Sequence, residues 1–135
     1  VITIVMLSTA EIKSLIASGE GYNVEFKKNI PNKVKEVTEE ICAFANAAGG
    51  TILLGVDDNN VIQGITFNNA KHSAIQNSIN EITPALHCEI YSLGVDGKEL
   101  VVIEVPSGES KPYVLSGAIY VRQGPIPKNS QQLRK

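Results

Sequence analysis

The chain has 135 residues, a net charge of −2, and 43% apolar against 19% charged residues. That length and balance fit one folded domain and exclude a disordered chain or a polycation that holds nucleic acid through its overall field. With no Trp and 5% aromatic residues, a broad base-stacking platform is excluded as well.

Residues 1–7 read as an extra N-terminal strand or a non-native extension. The stretch is too short to cross a bilayer and lacks the basic start of a signal peptide, so no membrane partner is expected. Ser8-Thr9-Ala10-Glu11 is a capping box. Ile12, Leu15 and Ile16 continue it as an apolar helical stripe that Gly19 ends. Asn23 to Lys27 alternates polar and apolar, which predicts a half-buried strand broken by Pro31-Asn32. From Lys33 to Ala48 the apolar positions Val34, Val37, Ile41, Phe44, Ala45 and Ala48 fall three or four apart, the spacing of an amphipathic helix. Glu36, Glu39 and Glu40 form its acidic face, and Gly49-Gly50 stops it.

Thr51 to Val56 is continuously apolar and is expected to be a central strand buried on both faces. Asp57 to Asn60 makes a turn, and Val61-Ile62 starts a short return strand. Asn69 reads as the N-cap of a helix carrying Ile75, Ile79 and Ile82, with Pro84 beyond its end. His87 to Val95 and Leu100 to Val105 read as a hairpin around Asp96-Gly97. Tyr113 to Leu115 and Ala118 to Arg122 read as a last hairpin around Ser116-Gly117. Gly124 to Pro127 is irregular, and residues 131–135 are expected to open a linker or a downstream region. The whole predicts an α+β domain over residues 8–130, a mixed and largely antiparallel sheet with β-hairpins and two or three packed helices. Phe26, Ile41, Phe44, Leu53, Leu54, Ile79, Val102 and Ile103 are expected to form most of one core.

No phosphate-cradling loop motif is present. Cys42 and Cys88 are too few for a disulfide framework and stand in no zinc spacing, so a reducing, cytoplasmic setting is expected. His72, His87 and Cys88 lie on different elements and do not suggest a metal site. The carboxylates offer more. Glu25 shares neither the Val24 nor the Phe26 face, Glu20 follows a glycine turn, and Asp57 and Asp58 end the next strand. If the two strands are neighbours, these acids converge, and convergent carboxylates hold divalent metals for phosphodiester cleavage. The plainer alternative is a solvated or lysine-paired Glu25 and aspartates that form the turn. Basic residues gather at Lys27, Lys28, Lys33 and Lys35, and again late in the chain. There Lys111 precedes the last hairpin, Tyr113 opens it, Arg122 closes it and Lys128 follows. Ordinary solvated surface is the default account of such charges.

The segments Asn23-Val24-Glu25-Phe26-Lys27-Lys28, Phe44-Ala45-Asn46 leading to Gly49-Gly50, and Gly55-Val56-Asp57-Asp58 resemble the Schlafen-AlbA domain family. Lys111-Pro112-Tyr113 and Tyr120-Val121-Arg122-Gln123-Gly124 resemble its closing segments. The likeness runs over roughly residues 9–130. It implies a DNA-binding module of a bacterial transcriptional regulator, with an ATPase-like or winged-helix region downstream. Vertebrate relatives carry a three-carboxylate RNA-cleaving site whose pattern falls on Glu20, Glu25 and Asp57 or Asp58. Two departures stand out: Ala47 replaces a frequent threonine, and Pro125-Ile126-Pro127 replaces small polar residues.

The expectation is therefore a cytoplasmic nucleic-acid-binding domain contacting DNA through Lys27, Lys28, Lys111, Tyr113, Arg122 and Lys128, alone or as a homodimer. A metal-dependent nuclease using Glu20, Glu25 and Asp58 is one alternative, and a protein-interaction or dimerisation module is the other. No cofactor is expected, save a divalent metal under the nuclease alternative.

Overall fold

A computed structural model describes residues 6–122 of the chain. Expectations for residues 1–5, for Lys128 and for the stretch after Arg122 lie outside the described residues.

The Ser8 hydroxyl accepts the Glu11 N–H at 3.1 Å, and Glu11 Oε1 accepts the Ser8 N–H at 2.8 Å. This closed capping box starts α1 (Thr9–Ser18), and Gly19, at φ +80°, ends it. Strand β1 (Val24–Lys27) follows, then α2 (Lys35–Ala45). Helix α2 is shorter at both ends than the apolar spacing predicts. At its far end Gly49, at φ +81°, sends its N–H back to the Phe44 carbonyl at 2.9 Å and turns the chain. Strand β2 (Gly50–Leu54) begins at a glycine that no other residue could replace without a shift, because a Cβ there would overlap the Phe44 ring.

Helix α3 (Asn69–Ile79) is capped one residue earlier than expected, by Asn68, whose Oδ1 accepts the Lys71 N–H at 2.9 Å. Strands β3 (Glu89–Val95) and β4 (Lys98–Val105) form the predicted hairpin. Asp96 at φ 51° and Gly97 at φ 79° supply the two left-handed residues that a tight hairpin turn needs. Ser116 and Gly117 make the same turn at φ 51° and 78°, yet the last hairpin does not form as a pair of strands. Only Leu115 and Ala118 bridge across it, while Val114 pairs with Thr83 instead. The return strand at Val61-Ile62 is likewise one bridge, between Val56 and Ile62.

The sheet order is β1-β2-β4-β3. Strands β1 and β2 are parallel, with Val24 opposite Thr51 and Lys27 opposite Leu54. Strand β4 is antiparallel to both β2 and β3, so the sheet is mixed. Alternation along β2 and β4 divides the expected single core in two. Ile52, Leu54, Val101 and Ile103 face α2 and α3 together with Ile41, Phe44 and Ile79. Phe26, Leu53, Leu100 and Val102 face α1 with Ile12 and Ile16. Strand β2 is central and buried on both faces, as its unbroken apolar run predicts. No helix among the described residues is long and apolar enough to cross a membrane.

Candidate functional site

Strand pleating turns Glu25 toward α2, away from Phe26. There it meets Arg122, whose Nη1 lies 3.1 Å from Glu25 Oε1 and 3.1 Å from Glu40 Oε1. Arg122 Nε donates to the Tyr22 carbonyl at 3.0 Å and Nη2 to the Gly21 carbonyl at 2.8 Å. The guanidinium carbon lies 4.4 Å from the centre of the Phe44 ring. The Arg122 side chain is 4% exposed. Its fork is directed inward, as a tie between the segment after the Ser116-Gly117 turn, β1 and α2, rather than outward to a phosphate.

Asn46 makes a second tie. Its Nδ2 donates to the carbonyls of Tyr113 at 3.0 Å and Tyr120 at 2.8 Å, and its Oδ1 accepts the Tyr113 N–H at 2.6 Å. Tyr113 is buried, and its hydroxyl accepts the Ser110 N–H at 3.1 Å. Lys111 remains exposed, with Nζ donating to Ser107 Oγ at 3.0 Å. The acidic face of α2 is partly covered by this returning segment. Glu40 turns to Arg122, and Glu39 accepts the Tyr120 hydroxyl at 3.2 Å.

The carboxylates do not converge as the sequence suggested. Glu20 does approach Glu25: its Oε2 accepts the Phe26 N–H at 2.8 Å. Burial, reinforced by the Glu20 charge, raises the Glu25 pKa despite the opposing pull of Arg122 and Lys27. Asp58 belongs to the other end of the sheet. Parallel pairing sets Glu25 opposite Ile52, whereas Asp58 follows the end of β2 at Leu54. Asp57 is spent on its own turn. Its Oδ1 accepts the N–H groups of Asn59 at 2.8 Å and Val61 at 3.0 Å, and its Oδ2 accepts Gln63 Nε2 at 2.8 Å. The Val61 N–H and the Gln63 amide hold its carboxyl below the ordinary range. Among the described residues no three His, Cys, Asp or Glu side chains are grouped to hold a metal ion.

The basic residues separate along the same axis. Lys27 and Lys28 lie at the finishing end of β1, and Lys33 and Lys35 at the start of α2 beside it. Lys111 is tied through Ser107, whose Oγ donates to the Ala47 carbonyl at 2.9 Å, to the opposite end, where β2 begins. At the finishing end of β1 and β2 the chain also opens a groove of about 810 Å³. The 29–32 loop, the 63–66 loop, Lys71 of α3, and Lys98 and Glu99 of β4 line it, and it is open to solvent. Sequence reading missed Lys71 and Lys98. The available signal was the parallel strand–helix–strand unit, since ligands favour the carboxyl ends of parallel strands. That β4 enters at the same end follows only from its pairing.

The family model described as Schlafen, AlbA_2 matches residues 20–130. The chain belongs to this family. Of the residues that carry the likeness, Glu25, Phe44 and Arg122 meet in the first tie and Asn46 makes the second. Among solved structures, the DIP2311 protein from Corynebacterium diphtheriae shares 19% identity over 84% of this chain, with a TM-score of 0.61. The chain spans 24% of that protein's length. The N-terminal domain of a protein from Nitrosomonas europaea, described as related to the ATP-dependent DNA helicase RecG, shares 22% identity with a TM-score of 0.55. There 96% of each chain is covered. At these identities the two structures share a fold with this Schlafen, AlbA_2 domain. Comparison with curated proteins found no match.

Proposed function

We propose that this domain binds nucleic acid, with DNA as the preferred partner, through the end of the sheet where β1 and β2 finish. The observation that carries this reading is the gathering of Lys27, Lys28, Lys33, Lys35, Lys71 and Lys98 at that end of a chain whose net charge is −2. All but Lys27, which is half-buried, are exposed. A local basic surface attracts a phosphate backbone where the overall field would not. Asp57, Asp58 and Glu99 moderate the field there, which favours weak binding by one copy and stronger binding by a homodimer or within a longer protein. The description of the Nitrosomonas europaea relative as helicase-related is consistent with a DNA partner. A place in a bacterial transcriptional regulator, with winged-helix or ATPase-like segments, is what the family resemblance implies. The flanking coding sequence tests it.

Fluorescence anisotropy with a labelled duplex across a salt series tests the binding itself. Three or four phosphate contacts give a log-log slope of about −3 to −4. Substituting Lys27 and Lys28 together by alanine reduces that slope by about two, while Lys111→Ala at the opposite end leaves it unchanged. Binding that ignores salt, or a slope that depends on Lys111 instead, overturns the assignment of the face. No binding at low salt favours an interaction module.

A further inference from the structure

The groove beside that basic end differs from the lysines around it, because it is concave and mixed in chemistry. Resting on the reading above, we infer that it is a subsite for unpaired nucleotides, seating one or two residues of a single strand. Its volume, about 810 Å³, lies within the range of clefts that enclose small ligands. A strand with its bases splayed can offer such a space both phosphates and base edges, whereas a duplex keeps its Watson–Crick edges paired.

Each wall supplies a different part of the recognition. Lys71 Nζ donates to the Thr66 carbonyl at 2.9 Å and Lys98 Nζ to the Ile62 carbonyl at 3.4 Å. Each ammonium has three N–H donors, so one internal bond leaves others for a phosphate. Asn29 and Asn32 line the same groove, and their side-chain amides carry donor and acceptor atoms that match base edges; Gln63 lines it too, with its Nε2 donating to Asp57. Glu99 accepts from an exocyclic base amine and repels a bare anion. That carboxylate argues against a site for free phosphate alone. Among the described residues no aromatic side chain lines the groove, so the recognition inferred here rests on hydrogen bonds rather than on stacking.

The test uses the full chain with three probes: a mixed-sequence ten-nucleotide single strand, its duplex, and inorganic phosphate. The single strand is expected to bind about tenfold more tightly than the duplex at equal salt. Amide NMR signals of Asn32, Ile65 and Thr66 should shift with the single strand and not with phosphate. Lys71→Ala with Lys98→Ala should weaken both nucleic acids, the single strand about tenfold more than the duplex, and so abolish the preference, with Lys27 and Lys28 keeping duplex binding measurable. Asn32→Ala, which keeps every lysine and the Asp57 turn, should weaken the single strand alone. Equal affinity for the two nucleic acids in the parent, or a preference that survives the double substitution, overturns the subsite and leaves the basic face standing. Shifts with phosphate alone assign the groove to a small anion and overturn it too. Absence of binding to either nucleic acid removes both readings.

Discussion

Arg122 reaches back to Glu25 across most of the described chain, Nη1 to Oε1 at 3.1 Å, and so fastens the segment after the Ser116-Gly117 turn to β1. The pair is enclosed: 4% of the arginine side chain and 18% of the glutamate side chain are exposed. Removing one partner of a buried pair leaves a charge without compensation, which costs more than the intact pair contributes. Arg122→Met would leave Glu25 and Glu40 without their shared cation. A loss of about 3–5 kcal/mol is expected in urea denaturation. Arg122→Lys should recover only part of it, because an ammonium cannot span the carboxylates and carbonyls that the planar fork reaches together. A methionine variant as stable as the parent would show that the tie contributes nothing.

The raised Glu25 pKa makes a statement about pH. Its ordinary value is 4.5, and burial with the neighbouring Glu20 lifts it in the folded state. A raised carboxyl favours the folded state fully below its unfolded value, and that contribution fades as pH rises through the folded value. Glu25→Gln cannot titrate. The stability difference, parent minus Glu25→Gln, should therefore decline as pH climbs from about 4 toward neutrality. A difference that rises over this window would mean that Arg122 outweighs burial at this site.

Asn46 carries the second tie, and its loss should be felt although it bears no charge. Asn46→Ala strands the Tyr113 N–H and the Tyr120 carbonyl, and leaves the Tyr113 carbonyl with only the Cys42 thiol at 3.4 Å. Unpaired backbone groups that water cannot easily reach cost about 1–3 kcal/mol each, so at least about 2 kcal/mol is expected. Faster amide exchange confined to the Tyr113–Tyr120 segment should accompany it. Uniformly faster exchange across the sheet would instead point to general destabilisation.

Both thiols should be silent in the folded protein. Burial and the adjacent Glu89 push Cys88 up to about 12, and burial raises Cys42 as well. The thiolate is the reacting species, so a disulfide reagent at pH 8 should label neither residue until denaturant is added. Rapid labelling of the native protein would place at least one cysteine nearer the surface.

Phe44 stands where the ties and one of the two cores meet. It is fully buried, it lies under the Arg122 guanidinium, and it occupies the space that the missing Gly50 side chain leaves open. Phe44→Ala should cost about 3–5 kcal/mol, read from a denaturation curve. An unchanged thermal melt would show that the ring is not packed as described.

Local chemistry made most of the elements legible from sequence. The Ser8–Glu11 box, the Asp96-Gly97 turn, the apolar run through β2 and the three-four spacing of α2 each act over a few residues, and each is present. The motif that places the chain in its family was legible for the same reason. Long-range choices were not. Whether β1 and β2 run parallel decides which end each acid occupies, and it separates Asp58 from Glu20 and Glu25. Arg122 has the same composition in solvent or in a core. Only the return of its segment over α2 decides that its donors meet two carboxylates and two carbonyls. The groove is assembled from two loops, a helix and a strand that sequence order keeps apart. Propensity and periodicity are properties of neighbours in the chain, whereas charge pairing and concavity are properties of neighbours in space.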